Sequence, residues 1–148
     1  INGALDSETK EASKEEKTKD KKDKDKKTKT LLTDDYIKSL ENYLDNDNPQ
    51  IRLIGVKELL ERFKEDDNRK SHPSLTPLLN KALRDSSASV RFLALTALQI
   101  GYATGNDETI SILKEIQSTN QDKFGQDSIL ASEILLKLSA PKIVEDKE

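Results

Sequence analysis

Ile51-Arg52-Leu53-Ile54-Gly55 returns 39 residues on as Val90-Arg91-Phe92-Leu93-Ala94. Leu59 and Leu98, the leucines that follow one turn later, keep the same offset, as do Asn48 and Ser87 before each stretch and Leu44 and Leu83 before those. Ala131 and Leu135 carry the series on, 37 residues past Ala94 and Leu98. Self-similarity at a fixed period of this length is the sequence signature of a stacked-repeat architecture. Within it, a small residue followed four positions later by leucine lies on one helix face, where neighbouring helices approach closely.

Outward from these stretches the chain breaks into helix pairs. Thr33 has the form of an N-cap, Asp34 and Asp35 favour the positive end of the helix that follows, and Leu32 can staple onto Ile37. Ile37, Leu40, Tyr43 and Leu44 then mark one apolar stripe. Asn48-Pro49 is an N-cap and N1 proline for a second helix, apolar on one side through Ile51, Ile54, Leu59 and Phe63 and on another through Leu53, Val56 and Leu60. The cycle recurs. Pro73 is expected to open a helix carrying Leu75, Leu78, Leu79 and Leu83, and Ser87 to cap the next, which carries Val90, Leu93, Ala94 and Leu98 and, on its other side, Phe92 and Leu95. Asn106 starts a third pair, with Ile110, Leu113 and Ile116, then Ile129, Leu130, Ile134 and Leu138, stopped by Pro141. Pro141-Lys142-Ile143-Val144 also has the form of a further helix start. No segment alternates at period two, so the expected fold class is all-α. A pair apolar on more than one face cannot bury itself alone, so the pairs must stack, with the doubly apolar second helices as the inner layer.

The pattern resembles the HEAT repeat of the armadillo/HEAT-type α-solenoids, whose second helix begins with acidic and small polar residues, then Val-Arg, two variable residues, Ala, and Leu a turn later. Asp85 to Leu98 matches well, Asp47 to Leu59 matches with glycine for alanine, and in the third repeat Asp127-Ser128 stands where Val-Arg belongs. The resemblance covers residues 33–140, in repeats of about 33–66, 71–104 and 106–139. It implies a short α-solenoid of about three helix pairs, a concave surface lined by second helices, and a protein partner bound there. It is nearly silent about function beyond that, because a repeat fold hosts many. The enzymatic members it brings to mind are a tetrapyrrole lyase and an alkylpurine DNA glycosylase, and these are the alternative to a non-catalytic scaffold or adaptor.

Composition narrows the choice. Residues 1–32 hold ten Lys and eight Asp or Glu with no aromatic, while all six aromatics of the 148-residue chain lie beyond them. Such an arm has too little to bury to offset the entropy of ordering it, and is expected to be a disordered, charge-balanced spacer. The remainder carries 15 basic and 20 acidic groups. An acidic domain lacks the clustered positive face that nucleic-acid binding needs, and Asp20, Asp23 and Asp25 interrupt the one lysine run, Lys19–Lys29. No run approaches the length of a membrane helix. A charged arm behind a first residue that is not Met has the character of the stalk of an exported, anchored protein; a cytoplasmic location is the alternative. Residues 141–148 are expected to be a tail.

Catalytic constellations are missing from the pattern. With no cysteine and one histidine, His72, the sequence offers neither a thiolate or histidine metal set nor a nucleophile–base pair, and no cofactor is expected. The several His-Glu pairs of the HEAT-type deoxyhypusine hydroxylases have no counterpart. Asp45-Asn46-Asp47-Asn48 resembles a calcium loop until its sixth and twelfth positions, which are Gln50 and Val56 instead of glycine and glutamate. What remains are candidates for binding a partner or stabilising the repeats: Arg52, Lys57 and Arg91 on the second helices, with Tyr36 and Tyr102 as tyrosine anchors or packing residues. For the two arginines, pairing with acids of the inter-helix turns (Asp47, Asp85 or a neighbouring repeat's) stands beside anion binding.

Overall fold

The computed structural model describes residues 28–119 and 125–143. The expected arm, apart from residues 28–32, lies outside them, as do residues 120–124 and 144–148. The described helices lie in the unit Leu31–Glu148. Among the described residues there are six α-helices, one 3₁₀ turn and no strand: α1 Asp34–Leu44, α2 Pro49–Lys64, the 3₁₀ turn Asp67–Arg69, α3 Thr76–Leu83, α4 Ala88–Ile100, α5 Asp107–Ser118 and α6 Asp127–Ser139. The chain is all-α there, and no described helix is long and apolar enough to cross a membrane.

Local chemistry explains several helix ends. The Thr33 hydroxyl accepts from the Tyr36 amide at 3.1 Å, and Asn48 Oδ1 from the Gln50 amide at 2.9 Å with Pro49 in the first turn. Asn106 and Thr109 form a reciprocal capping box at the start of α5. Gly101 ends α4 at φ 98°, a left-handed conformation that suits glycine. One start differs from expectation, and at another Ser87 holds the expected N-cap position without the expected side-chain bond. α3 begins at Thr76, three residues after Pro73, because His72 organises the intervening turn: its Nδ1 accepts from the Ser74 amide at 3.0 Å and its carbonyl from the Thr76 amide at 2.9 Å. Ser87 makes no side-chain cap on α4; its amide instead donates to Asp85 Oδ1 at 2.8 Å. Residues 141–143 are not helical.

Each odd-numbered helix packs on the even-numbered one that follows it. Between pairs, α2 packs on α4 and α4 on α6, while α1 packs on α3 and α3 on α5. The two rows share one core, in which Leu59, Phe63, Leu79, Leu95, Leu98, Leu113 and Ile134 are almost wholly removed from solvent. Burying each such side chain stabilises by about 1.5–3 kcal/mol. α4 is the central element, buried through Val90, Arg91, Ala94, Leu95, Ala97 and Leu98.

At Gly55 the helices α1 and α2 approach closely. A methyl there would meet Tyr43 Cβ at 2.9 Å and Leu44 Cδ2 at 3.3 Å. Tyr43 Cβ is fixed to the α1 backbone, so the helices would have to part. Alanine gains about 1 kcal/mol of helix propensity over glycine, but overpacking costs about 1–3 kcal/mol. Gly55→Ala is therefore expected to destabilise in urea unfolding by about 1 kcal/mol, although the repeat pattern favours alanine at this position. A gain in stability would show that α1 and α2 separate freely.

Candidate functional site

Arg52 and Arg91, 39 residues apart, do the same thing twice. Arg52 Nη1 donates to the carbonyls of Asn46 (2.9 Å) and Asp47 (3.1 Å), in the turn before its own helix. Its Nε donates to Asp85 Oδ2 at 2.9 Å, in the turn of the next pair. Arg91 Nη1 donates to the Asp85 and Ser86 carbonyls, both at 3.0 Å, and its Nε to Asp127 Oδ2 at 2.7 Å, in the first turn of α6. Each planar guanidinium thus ties its own turn to the next pair, a task for which lysine's single ammonium has the wrong shape. Both pairs are largely desolvated: the side chains are 14 % and 7 % exposed for Arg52–Asp85, and 8 % and 11 % for Arg91–Asp127. The two guanidiniums face the turns, where they are engaged by carbonyls and carboxylates of this chain.

Lys57 is exposed on α2, clear of that ladder. Tyr36, on α1, is half-buried against the second half of α2, its hydroxyl donating to Glu58 Oε1 at 3.3 Å and accepting from Arg62 Nη1 at 3.4 Å. Burial, reinforced by the Glu58 carboxylate and opposed by Arg62, raises its phenol above the ordinary tyrosine range. Tyr102 follows α4, with the Lys64 ammonium 5.1 Å from its ring centroid. The structure therefore does not gather the five candidates into one site. Arg52 and Arg91 share the turn edge, Lys57 lies on an open helix face, and the two tyrosines lie apart from both.

What the structure does gather is apolar. Leu53, Phe92 and Ile129 occupy the same position in α2, α4 and α6, with offsets of 39 and 37 residues. Leu53 is half-buried, while Phe92 and Ile129 are 56 % and 48 % exposed. Leu53, Ala88, Ser89, Phe92 and Leu93 line a shallow groove of about 340 Å³ between α2 and α4. One turn further on, Lys57, Thr96 and Glu133 hold the next equivalent positions, giving a row of mixed polarity beside the apolar one. Sequence periodicity assigned Phe92 and Leu53 to a second apolar side of their helices. It did not show that part of this side is left open.

No protein-family model matches the chain. No curated protein and no solved structure matches it either.

Proposed function

We propose that the chain is a HEAT-type α-solenoid of about three helix pairs acting as a non-catalytic scaffold, and that a protein partner binds the face of the second helices. The row Leu53, Phe92 and Ile129 carries this proposal, since apolar side chains recurring in register across three helices, exposed at Phe92 and Ile129 and half-buried at Leu53, are a surface that gains by being covered. The alternation of pairs, the Val-Arg-x-x-Ala-x-x-x-Leu pattern and the two-row packing support the repeat assignment. The row is where Phe92 would act as the anchor, with the groove beside it taking an apolar side chain of the partner. Arg52 and Arg91 shape this face by fixing the spacing of its helices, and recognition rests on Phe92 and its flanking polar row.

Photo-crosslinking from position 92 in the native host, with exposed Lys38 on α1 as the control position, tests the proposal. The expected result is one discrete partner protein attached from position 92 and not from position 38. Its capture by the full chain should fall about thirtyfold in Phe92→Asp, the loss typical of a hot-spot anchor. Equal crosslinking from both positions, or capture indifferent to Phe92→Asp, would refute it.

A further inference from the structure

Among the described residues, the central pair α3/α4 is covered on both sides by its neighbours, while the two end pairs are each covered on one side only. Both bare ends are apolar. At the first, Tyr36, Leu40, Tyr43 and Ile54 line a groove of about 290 Å³ with Glu58 at its edge; Tyr43 is 46 % and Ile54 54 % exposed. At the other, Ile110, Leu135, Leu136 and Leu138 line a groove of about 570 Å³ between α5 and α6, with Lys114 beside them and Leu136 75 % exposed. These are the surfaces with which the pairs stack internally. Leu93, the counterpart of Ile54 39 residues on, lies with Leu53 at the junction of α2 and α4.

We propose that a second copy of this chain covers them head to tail, the α1/α2 end of one molecule seating on the α5/α6 end of the next. The turn ladder favours this occupant. Inside the stack each junction joins an arginine to an aspartate, Arg52 to Asp85 and Arg91 to Asp127. At the first bare end the aspartate position is Asn46, whose Oδ1 accepts from the Asn48 amide at 2.9 Å just as Asp85 Oδ1 accepts from that of Ser87. At the last the arginine position is Ser128, 37 residues past Arg91. A partner surface bearing the usual arginine or aspartate would bury it there against a neutral residue, which is costly. The chain's own opposite end brings serine to asparagine and leaves no charge stranded. Such a heterologous contact does not close on itself at two copies, and grows into chains or rings. It leaves the Phe92 row uncovered, so it does not depend on what that row binds.

Sedimentation velocity of the full chain, from micromolar to millimolar, gives the test, with Ile54→Glu and Leu136→Glu as variants at exposed positions whose folding is verified by circular dichroism. Wild type is expected to grow past the dimer as concentration rises, and each variant alone to stay monomeric. An equimolar mixture of the two variants is expected to form dimers and stop there, since one retains an intact last end and the other an intact first end. A monomeric wild type, a single variant that self-associates, or a mixture that stays monomeric would each overturn the proposal.

Discussion

Replacing Arg91 with alanine is expected to lower the unfolding free energy by about 3–4 kcal/mol, in the range found when one partner of a buried ion pair is removed. Three acceptors lose their donor together: the Asp85 and Ser86 carbonyls and the Asp127 carboxylate, whose side chain is 11 % exposed. The Asp127 carboxylate is buried in the first turn of α6 and loses this donor, so the cost includes a stranded buried charge, beyond the loss of the bonds themselves. For a domain of this size the loss corresponds to a fall in Tm of about 15–25 °C. Arg91→Lys keeps the charge and loses the fork, so it is expected to fall between wild type and Arg91→Ala. In the double variant Arg91→Ala/Asp127→Ala the stranded carboxylate is gone, and the combined loss should be smaller than the sum of the two single losses. Thermal and urea unfolding of wild type and the four variants, Asp127→Ala alone included, measure this. A loss below about 1 kcal/mol for Arg91→Ala, the level of an exposed ion pair, would show that the ladder does not hold the pairs together.

The position of those arginines was legible in the chain; their partners were only half so. The 39-residue offset placed Arg52 and Arg91 at equivalent points, and the acids of the turns were the natural candidates for pairing. Asp47, however, offers Arg52 its carbonyl rather than its carboxylate, and Asp85 gives its carboxylate to the preceding pair's arginine and its carbonyl to its own. That division depends on how closely two pairs approach, which no local spacing encodes. Asp127 is the sharper instance: in the repeat pattern it merely spoils a Val-Arg match, yet in three dimensions its carboxylate is the terminal acceptor of the ladder. Helix periods in α2 and α4 were readable because 3.6-residue spacing follows from helix geometry alone. The start of α3 was not, because the His72 ring nitrogen competes with Pro73 for control of that turn. The open apolar row was invisible for a related reason. Leu53 and Leu60 are both apolar, and what makes Leu53 part of a surface and Leu60 part of the core is the placement of neighbouring helices.

The same distinction gives the second large effect, on two helical leucines that composition alone treats alike. Leu98 on α4 is 1 % exposed, and Leu136 on α6 is 75 % exposed. Leu98→Ala removes side-chain carbons from a site enclosed by neighbours on both sides and leaves a cavity that rigid helices refill only in part. It is expected to cost about 3–4 kcal/mol. Leu136→Ala takes almost nothing out of the core and gains slightly in helix propensity, so it is expected to change stability by no more than about 0.5 kcal/mol. Urea unfolding at low chain concentration separates the two, because dilution keeps any association of the bare ends from adding to the apparent stability of Leu136. A loss of about 2 kcal/mol or more for Leu136→Ala under those conditions would mean that this leucine is already covered within a single molecule. The α5/α6 end would then be closed, and both the bare-end geometry and the head-to-tail contact built on it would fall together. The near-neutral outcome, beside a severe loss at Leu98, places the boundary of the core between α4 and the outer side of α6 and leaves Leu136 free to serve a contact.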